Sequence, residues 1–267
     1  MQPYDQNPYA YQQGYARPQA EVDQGLRAFM LGVYNNMILG LATSALVALG
    51  VNKLATTANV AEAARTVSGQ VARMGGQYLT QFGVTLYTTP LMWVVALAPL
   101  AFIFFFSFRA DRMSAATART TFFAFAAVMG ASLSTLLLRY TGASVVQVFF
   151  ITAAAFGGLS LYGYTTQRSL SGMGSFLMMG LIGLIIASLV NLFLQSSAMQ
   201  FAISCIGVLI FAGLTAYDTQ KLKEEYLFGN YDTEMAAKAS IFGALTLYLD
   251  FINMFQFLLS LFGNRNE

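Results

Sequence analysis

Apolar runs long enough to cross a bilayer recur seven times in this 267-residue chain, at residues 29–51, 91–108, 121–138, 145–162, 175–194, 201–217 and 241–262. The hydrocarbon layer is about 30 Å thick and is crossed by about 20 apolar residues of helix. Several of the runs are near the short limit, and flanking aromatic residues extend them. Backbone amides and carbonyls cannot stay unpaired in hydrocarbon, and these runs are too long for barrel strands, so helices are the remaining solution. The pattern predicts an all-α polytopic membrane protein, a seven-transmembrane-helix bundle over residues 29–262. A polar tail, 1–28, precedes it and a short polar tail, 263–267, follows. Gly130, Gly157, Gly158, Gly180 and Gly183 lie within the runs, as close helix packing in lipid allows.

Composition closes other routes. Charged residues make up 10% of the chain and apolar residues 57%, whereas a soluble domain carries about 25% charge. A water-soluble surface cannot be built from this sequence. It has no histidine, which excludes a Ser-His-Asp triad, an HExxH zinc site and a histidine proton relay. Its single cysteine, Cys205, excludes an intramolecular disulfide and a thiolate metal cluster. The net charge of +2 is small and scattered, which argues against nucleic acid as a partner. Nothing implies a cofactor, and the expectation is a protein that is not an enzyme. The tail is rich in Tyr, Gln and Pro, lacks a signal-peptide pattern and reads as disordered.

Orientation follows from the basic residues. With the N-terminus in the cytoplasm, the inside segments hold nine (Arg17, Arg27, Arg109, Arg112, Arg119, Arg168, Lys221, Lys223, Lys238) and the outside segments five (Lys53, Arg65, Arg73, Arg139, Arg265). Seven spans then put the C-terminus outside, unless the last run is a re-entrant hairpin. The long loop, 52–90, reads as a connector. Val60, Ala64, Val67, Val71 and Met74 are spaced roughly as one helical face, so a helix lying on the membrane surface is the alternative.

Acidic residues carry the functional signal. Asp250 sits in the seventh run with at least nine uncharged residues on each side. A carboxylate at the bilayer centre costs about 2.5–3.5 kcal/mol on insertion scales. At 100° per residue, Thr246, Asp250, Asn253, Gln256 and Ser260 fall within an arc of about 120°, and Tyr248 and Ile252 lie off it on a lipid-like side. In the sixth run Ser204, Gly207, Thr215 and Asp218 share a narrower face. Such stripes serve interhelical hydrogen bonding or line a pore, and an ionisable residue within one favours function. Both aspartates belong to the cytoplasmic half. Two carboxyls close together in low dielectric share one proton and titrate as a unit. Starting the last helix at Ile241 puts Asp250 about 14 Å deep, with Asp218 shallower; a start nearer Leu245 closes most of the gap. Arg109, ending the second run, is a candidate counter-charge or an ordinary membrane anchor.

The stretches LSLYGYTTQRSLSGMGSFLMMGL (159–181), AGLTAYDTQKLK (212–223) and SIFGALTLYLDFINMFQFLL (240–259) resemble the Bax inhibitor-1 family in its bacterial, YccA-like branch. The resemblance runs from about Leu26 to Phe262. It implies a seven-helix bundle with the last helix central, in the bacterial inner membrane. It also implies a pH-sensitive calcium leak controlled by two aspartates, which map onto Asp218 and Asp250, joined by a basic residue at the place of Arg109. Family members also influence cell death or membrane-protease activity through partners. This chain departs in its polar tail, its long first loop and the lack of an acidic residue in the second run.

The expectation is a passive Ca²⁺ pathway gated by protonation of the aspartate pair, with Thr246, Asn253 and Gln256 as pore-stripe candidates and the lipid bilayer as surroundings. Hard cations prefer oxygen ligands, and one carboxylate pair with amides beneath it suits transient binding. No EF-hand loop supports a tight calcium store. The alternative is a regulator that transports nothing and binds a membrane protease or cell-death partner. An intramembrane aspartyl protease also needs two aspartates sharing a proton, but Asp250 lies in LYLD rather than the Gly-x-Gly-Asp setting. A retinal protein is excluded because the seventh run has no lysine.

Overall fold

The structure is a computed structural model that describes residues 19–65, 69–229 and 231–266. Helix α1 (Gln19–Ala55) leads into a small sheet of β1 (Thr56–Thr57), β2 (Arg73–Met74) and β3 (Gln77–Leu79), then a short helix α2 (Gln81–Thr88). The membrane helices α3 (Leu91–Arg109), α4 (Ala115–Arg139), α5 (Gly142–Thr165), α6 (Ser171–Leu194), α7 (Ser197–Phe228) and α8 (Thr233–Phe262) complete the chain. Seven of these eight helices, all but α2, are long and apolar enough to cross a membrane. Each contains one of the seven predicted runs.

Four helices begin ahead of their apolar runs because polar caps set their first turns. Ser114, Thr141, Ser196 and Asp232 each accept a backbone N–H three residues on, opening α4, α5, α7 and α8. The N-termini of these four helices therefore project beyond the apolar runs they carry. The largest difference is at the N-terminus. Helix α1 starts at Gln19, and Leu26 is buried, so residues 19–28 belong to the first helix rather than to a tail. The earlier part of the predicted tail, 1–18, lies outside the described residues. Helix α8 is unbroken over 30 residues, about 45 Å at 1.5 Å per residue, which removes the re-entrant hairpin.

The loop 52–90 is neither a plain connector nor a surface helix. The strands run antiparallel in the order β1-β3-β2, with Thr56 opposite Leu79 and Arg73 opposite Tyr78. Gly75 and Gly76 turn the β2–β3 hairpin at positive φ of 54° and 71°, a conformation that disfavours a Cβ. Ala55, Ala64, Ala72, Leu79, Leu86 and Leu138 bury a separate small core beneath the sheet. Ala64 and Met74, predicted to share a helical face, lie in this β region, and Val67 is outside the described residues. Tyr87 Oη hydrogen-bonds Ser134 Oγ at 2.9 Å, fixing α2 to α4. Burial pushes the Tyr87 phenol up from its ordinary value, against the opposing effect of that hydrogen bond.

Helix α8 is the centre of the bundle and packs against α1, α4, α5 and α7. Tyr248 and Ile252, assigned by periodicity to a lipid-like side, are 0% and 4% exposed. Tyr248 lies edge-on to Phe122 and Phe125, both with ring centroids 5.8 Å away, and its hydroxyl meets Ser44 Oγ of α1 at 2.6 Å. The apolar side of α8 therefore faces other helices. Small residues allow the close packing: a Cβ on Gly130 would overlap the Ser44 backbone, and one on Gly163 the Ala216 backbone.

Candidate functional site

Asp218 of α7 and Asp250 of α8 meet across an antiparallel helix pair. Gly243 faces Leu222, Gly207 faces Phe257, and Ser204 Oγ bonds Ser260 Oγ at 3.0 Å. This register sets Asp218 level with residues 246–247, about one turn from Asp250. Side chains lean toward the N-terminus of their own helix. In antiparallel neighbours the two lean toward each other, and this closes the one-turn gap. The two carboxyls are consequently brought within side-chain reach of each other. The contact arises from register and side-chain lean, with α8 starting at Thr233 rather than at Ile241 or Leu245.

Asp250 is 4% exposed. Its Oδ2 is buried and receives no N–H or O–H donor from the described residues. The titratable side chain that reaches Asp250 is another carboxyl, and two carboxyls can hydrogen-bond only when one of them is protonated. Asp218 is half-buried and lines a cleft of about 300 Å³ between α7 and α8. Lys221, Glu225, Phe242 and Thr246 also line it. Lys221 Nζ and a Glu225 carboxylate oxygen lie 3.8 Å apart, with both side chains about half exposed. A path of polar groups thus leads from the α7–α8 turn to Asp218, and Asp250 lies behind it.

The stripe on α8 divides. Thr246 reaches the cleft, and its hydroxyl donates to the Phe242 carbonyl at 3.2 Å. Asn253 and Gln256 are half-buried farther along the same face, beyond that cleft, and Asn253 Nδ2 donates to the Leu249 carbonyl at 2.8 Å. Toward the far end, Gln200 Nε2 donates to Ser204 Oγ at 3.4 Å, and Asn191 Nδ2 donates to Gln200 Oε1 at 3.3 Å. Polar groups therefore follow the α7–α8 seam toward both ends.

Arg109 is not brought to the aspartates. It is exposed, with its guanidinium 5.6 Å from the Phe105 ring centroid. Helix α3 reaches α8 through Phe106, whose ring centroid is 4.9 Å from that of Phe242. The cation acting on Asp218 is Lys221. Periodicity could not distinguish these two residues, because both mark the same end of the bundle.

The residues around Asp218 have separate tasks that sequence reasoning missed. Gln220 accepts from Leu170 N at 2.7 Å and donates to the Arg168 carbonyl at 2.8 Å, clamping the α5–α6 turn. Lys223 Nζ donates to the Tyr164 carbonyl at 2.8 Å, at the end of α5. Thr219 Oγ1 meets Ser160 Oγ at 2.9 Å, and Ser160 meets Tyr34 Oη at 2.7 Å. The YDTQ-lysine stretch therefore fixes α7 to its neighbours on several sides and holds Asp218 toward α8. Its signal was a dense run of polar residues at the end of an apolar helix.

The family model described as inhibitor of apoptosis-promoting Bax1 matches residues 26–267. An uncharacterized protein of Caulobacter vibrioides is 46% identical over 263 residues, covering 96% of this chain and 99% of that protein. One from Rickettsia prowazekii is 44% identical over 245 residues, covering 92% and 93%. The inner membrane protein YbhL of Escherichia coli is 42% identical over 243 residues, covering 90% of this chain and 93% of that protein.

Proposed function

The chain belongs to the Bax inhibitor-1 family, and from that premise we propose that it is a pH-sensitive cation pathway, with Ca²⁺ as its cargo and the Asp218–Asp250 pair as its gate. The single observation that carries this reading is the buried Asp250 carboxyl, whose titratable partner is the carboxyl at the end of a polar cleft. While the pair shares a proton, the two groups hold α7 and α8 together. When the proton leaves, two like charges face each other. At 4 Å and an effective dielectric of 20, such a pair repels by about 4 kcal/mol. That is enough to part the side chains or to draw in a cation.

A hard divalent cation would meet carboxylate, hydroxyl and amide oxygens along this seam. Among the described residues no group of three or more His, Cys, Asp or Glu side chains is placed to hold a metal. Few ligands suit passage better than storage. We place the α7–α8 turn in the cytoplasm, on the nine-to-five distribution of basic residues, in an inner membrane like that of the Escherichia coli relative.

Purified protein in calcium-loaded liposomes tests the reading. The expected result is a Ca²⁺ efflux above that of protein-free liposomes, with a transition in pH. Efflux equal to protein-free liposomes at every pH would overturn it and leave the non-transporting regulator as the reading.

A further inference from the structure

A groove of about 910 Å³ runs between α1 and α5 and takes no part in the aspartate site. Phe156 and Phe251 line its depth, and Leu31, Ile38 and Leu161 at its lips are 51%, 61% and 63% exposed. In a bilayer such residues face hydrocarbon, so the groove opens sideways into lipid. Its lining is graded along its length. Arg27, Tyr34, Ser160 and Tyr164 gather at the end nearest the α7–α8 turn, and the remainder is apolar. An amphiphile lying along the helices has the same gradation.

The polar end is basic. Arg27 is exposed, and no carboxylate of the described residues pairs with it. Lys223 lies next to this end, its ammonium nitrogen 5.5 Å from the Tyr164 ring centroid. The Tyr34 hydroxyl is already engaged with Ser160 at 2.7 Å, so a headgroup falls to Arg27. From Arg27 to Ala45 the α1 wall extends 18 residues, about 27 Å at 1.5 Å per residue. One leaflet of hydrocarbon is about 15 Å deep, half of the 30 Å core. Below Tyr34 the apolar part runs 11 residues to Ala45, about 17 Å, and so matches an acyl chain whose phosphate lies above it toward Arg27.

We propose that the α1–α5 groove is a binding site for an anionic phospholipid of the leaflet on the α7–α8 side, with an acyl chain between the two helices and the phosphate at Arg27. The zwitterionic phosphatidylethanolamine carries the same chains, so headgroup charge separates a built site from a merely greasy surface. An arginine near anionic lipid contributes about fivefold in affinity.

The test is native mass spectrometry of the purified full chain with phosphatidylglycerol and phosphatidylethanolamine of identical acyl chains. The parent is expected to retain phosphatidylglycerol preferentially. Arg27→Gln is expected to lower that preference about fivefold, and Arg27→Lys to restore most of it. A Cβ on Gly157, which lines the groove, meets nothing within 4 Å. Gly157→Phe is therefore expected to fill the groove and release both lipids. Equal retention of the two lipids by the parent would overturn the proposal, as would an Arg27→Gln preference equal to the parent's. A second copy of the chain in place of lipid, lost in Gly157→Phe, would also overturn it. Arg27 is exposed, so the charge variants still decide the matter if Gly157→Phe does not fold.

Discussion

Helices α3 and α8 are both long and apolar enough to cross a membrane, yet they are built on opposite plans. Within the most apolar 18 residues of each, 11% of α3 is buried and 56% of α8. Helix α3 is nearly all apolar and touches α4 along one side, while Phe104, Phe105 and Phe108 stand exposed. Helix α8 carries Thr246, Asp250, Asn253, Gln256 and Ser260 and is enclosed by four helices. In water the apolar segment is the buried one. In lipid, apolar side chains gain little by leaving the solvent, and polar groups are the ones that need enclosure. Here the most polar span is the most buried, and the two most apolar, α3 and α6, are the least buried.

The comparison is broken most severely by placing charge on the lipid side. Leu100 of α3 is 54% exposed at mid-helix. Leu100→Asp is expected to cost about 2.5–3.5 kcal/mol of insertion, seen as a loss of membrane-integrated protein in cell-free translation. Integration equal to that of the parent would show that α3 does not face hydrocarbon.

Packing sharpens the same contrast on one helix. A Cβ on Gly163 would overlap the Ala216 backbone, whereas one on Gly158 meets nothing within 4 Å. Gly163→Leu should destabilise the protein by about 1–3 kcal/mol, and Gly158→Leu by less than about 0.5 kcal/mol. Melting in a mild detergent measures both, and equal losses would deny that α5 has an inner and an outer face.

The smallest effect concerns the two candidate cations. Lys221 lies in the cleft with Asp218, and Arg109 lies over Phe105. Removing a nearby cation disfavours a carboxylate, so Lys221→Gln should move the pH transition of Ca²⁺ flux upward. The Lys221 side chain is 54% exposed, and solvent screening keeps the shift to a fraction of a pH unit. Arg109→Gln should shift it less. A larger Arg109 effect would return Arg109 to the gate.

What the sequence disclosed follows the same logic of cost. The seven spans were legible because hydrocarbon depth demands long apolar runs. Asp250 stood out because an unpaired carboxylate there is costly. The enclosure of Tyr248 was not legible, since its hydroxyl depends on Ser44, 204 positions earlier. Strands of two and three residues in the first loop carry too little alternation to read, and their partners are apparent only once paired. The approach of Asp218 to Asp250 depended on helix register, which caps at Ser196 and Asp232 help to set. Those caps lie outside the apolar runs that periodicity measured.

The central claim is that Asp218 and Asp250 titrate as one unit that gates Ca²⁺. The most direct measurement is Ca²⁺ flux against pH for the parent, Asp218→Asn, Asp250→Asn and the double variant, in one lipid and at one salt concentration. Asparagine keeps the size and removes the titration. If one proton is shared, Asp250→Asn abolishes the parent's pH transition, Asp218→Asn shifts or abolishes it, and the double variant adds little to either single change. An unchanged transition in Asp250→Asn, or fully additive effects of the two substitutions, would contradict the account.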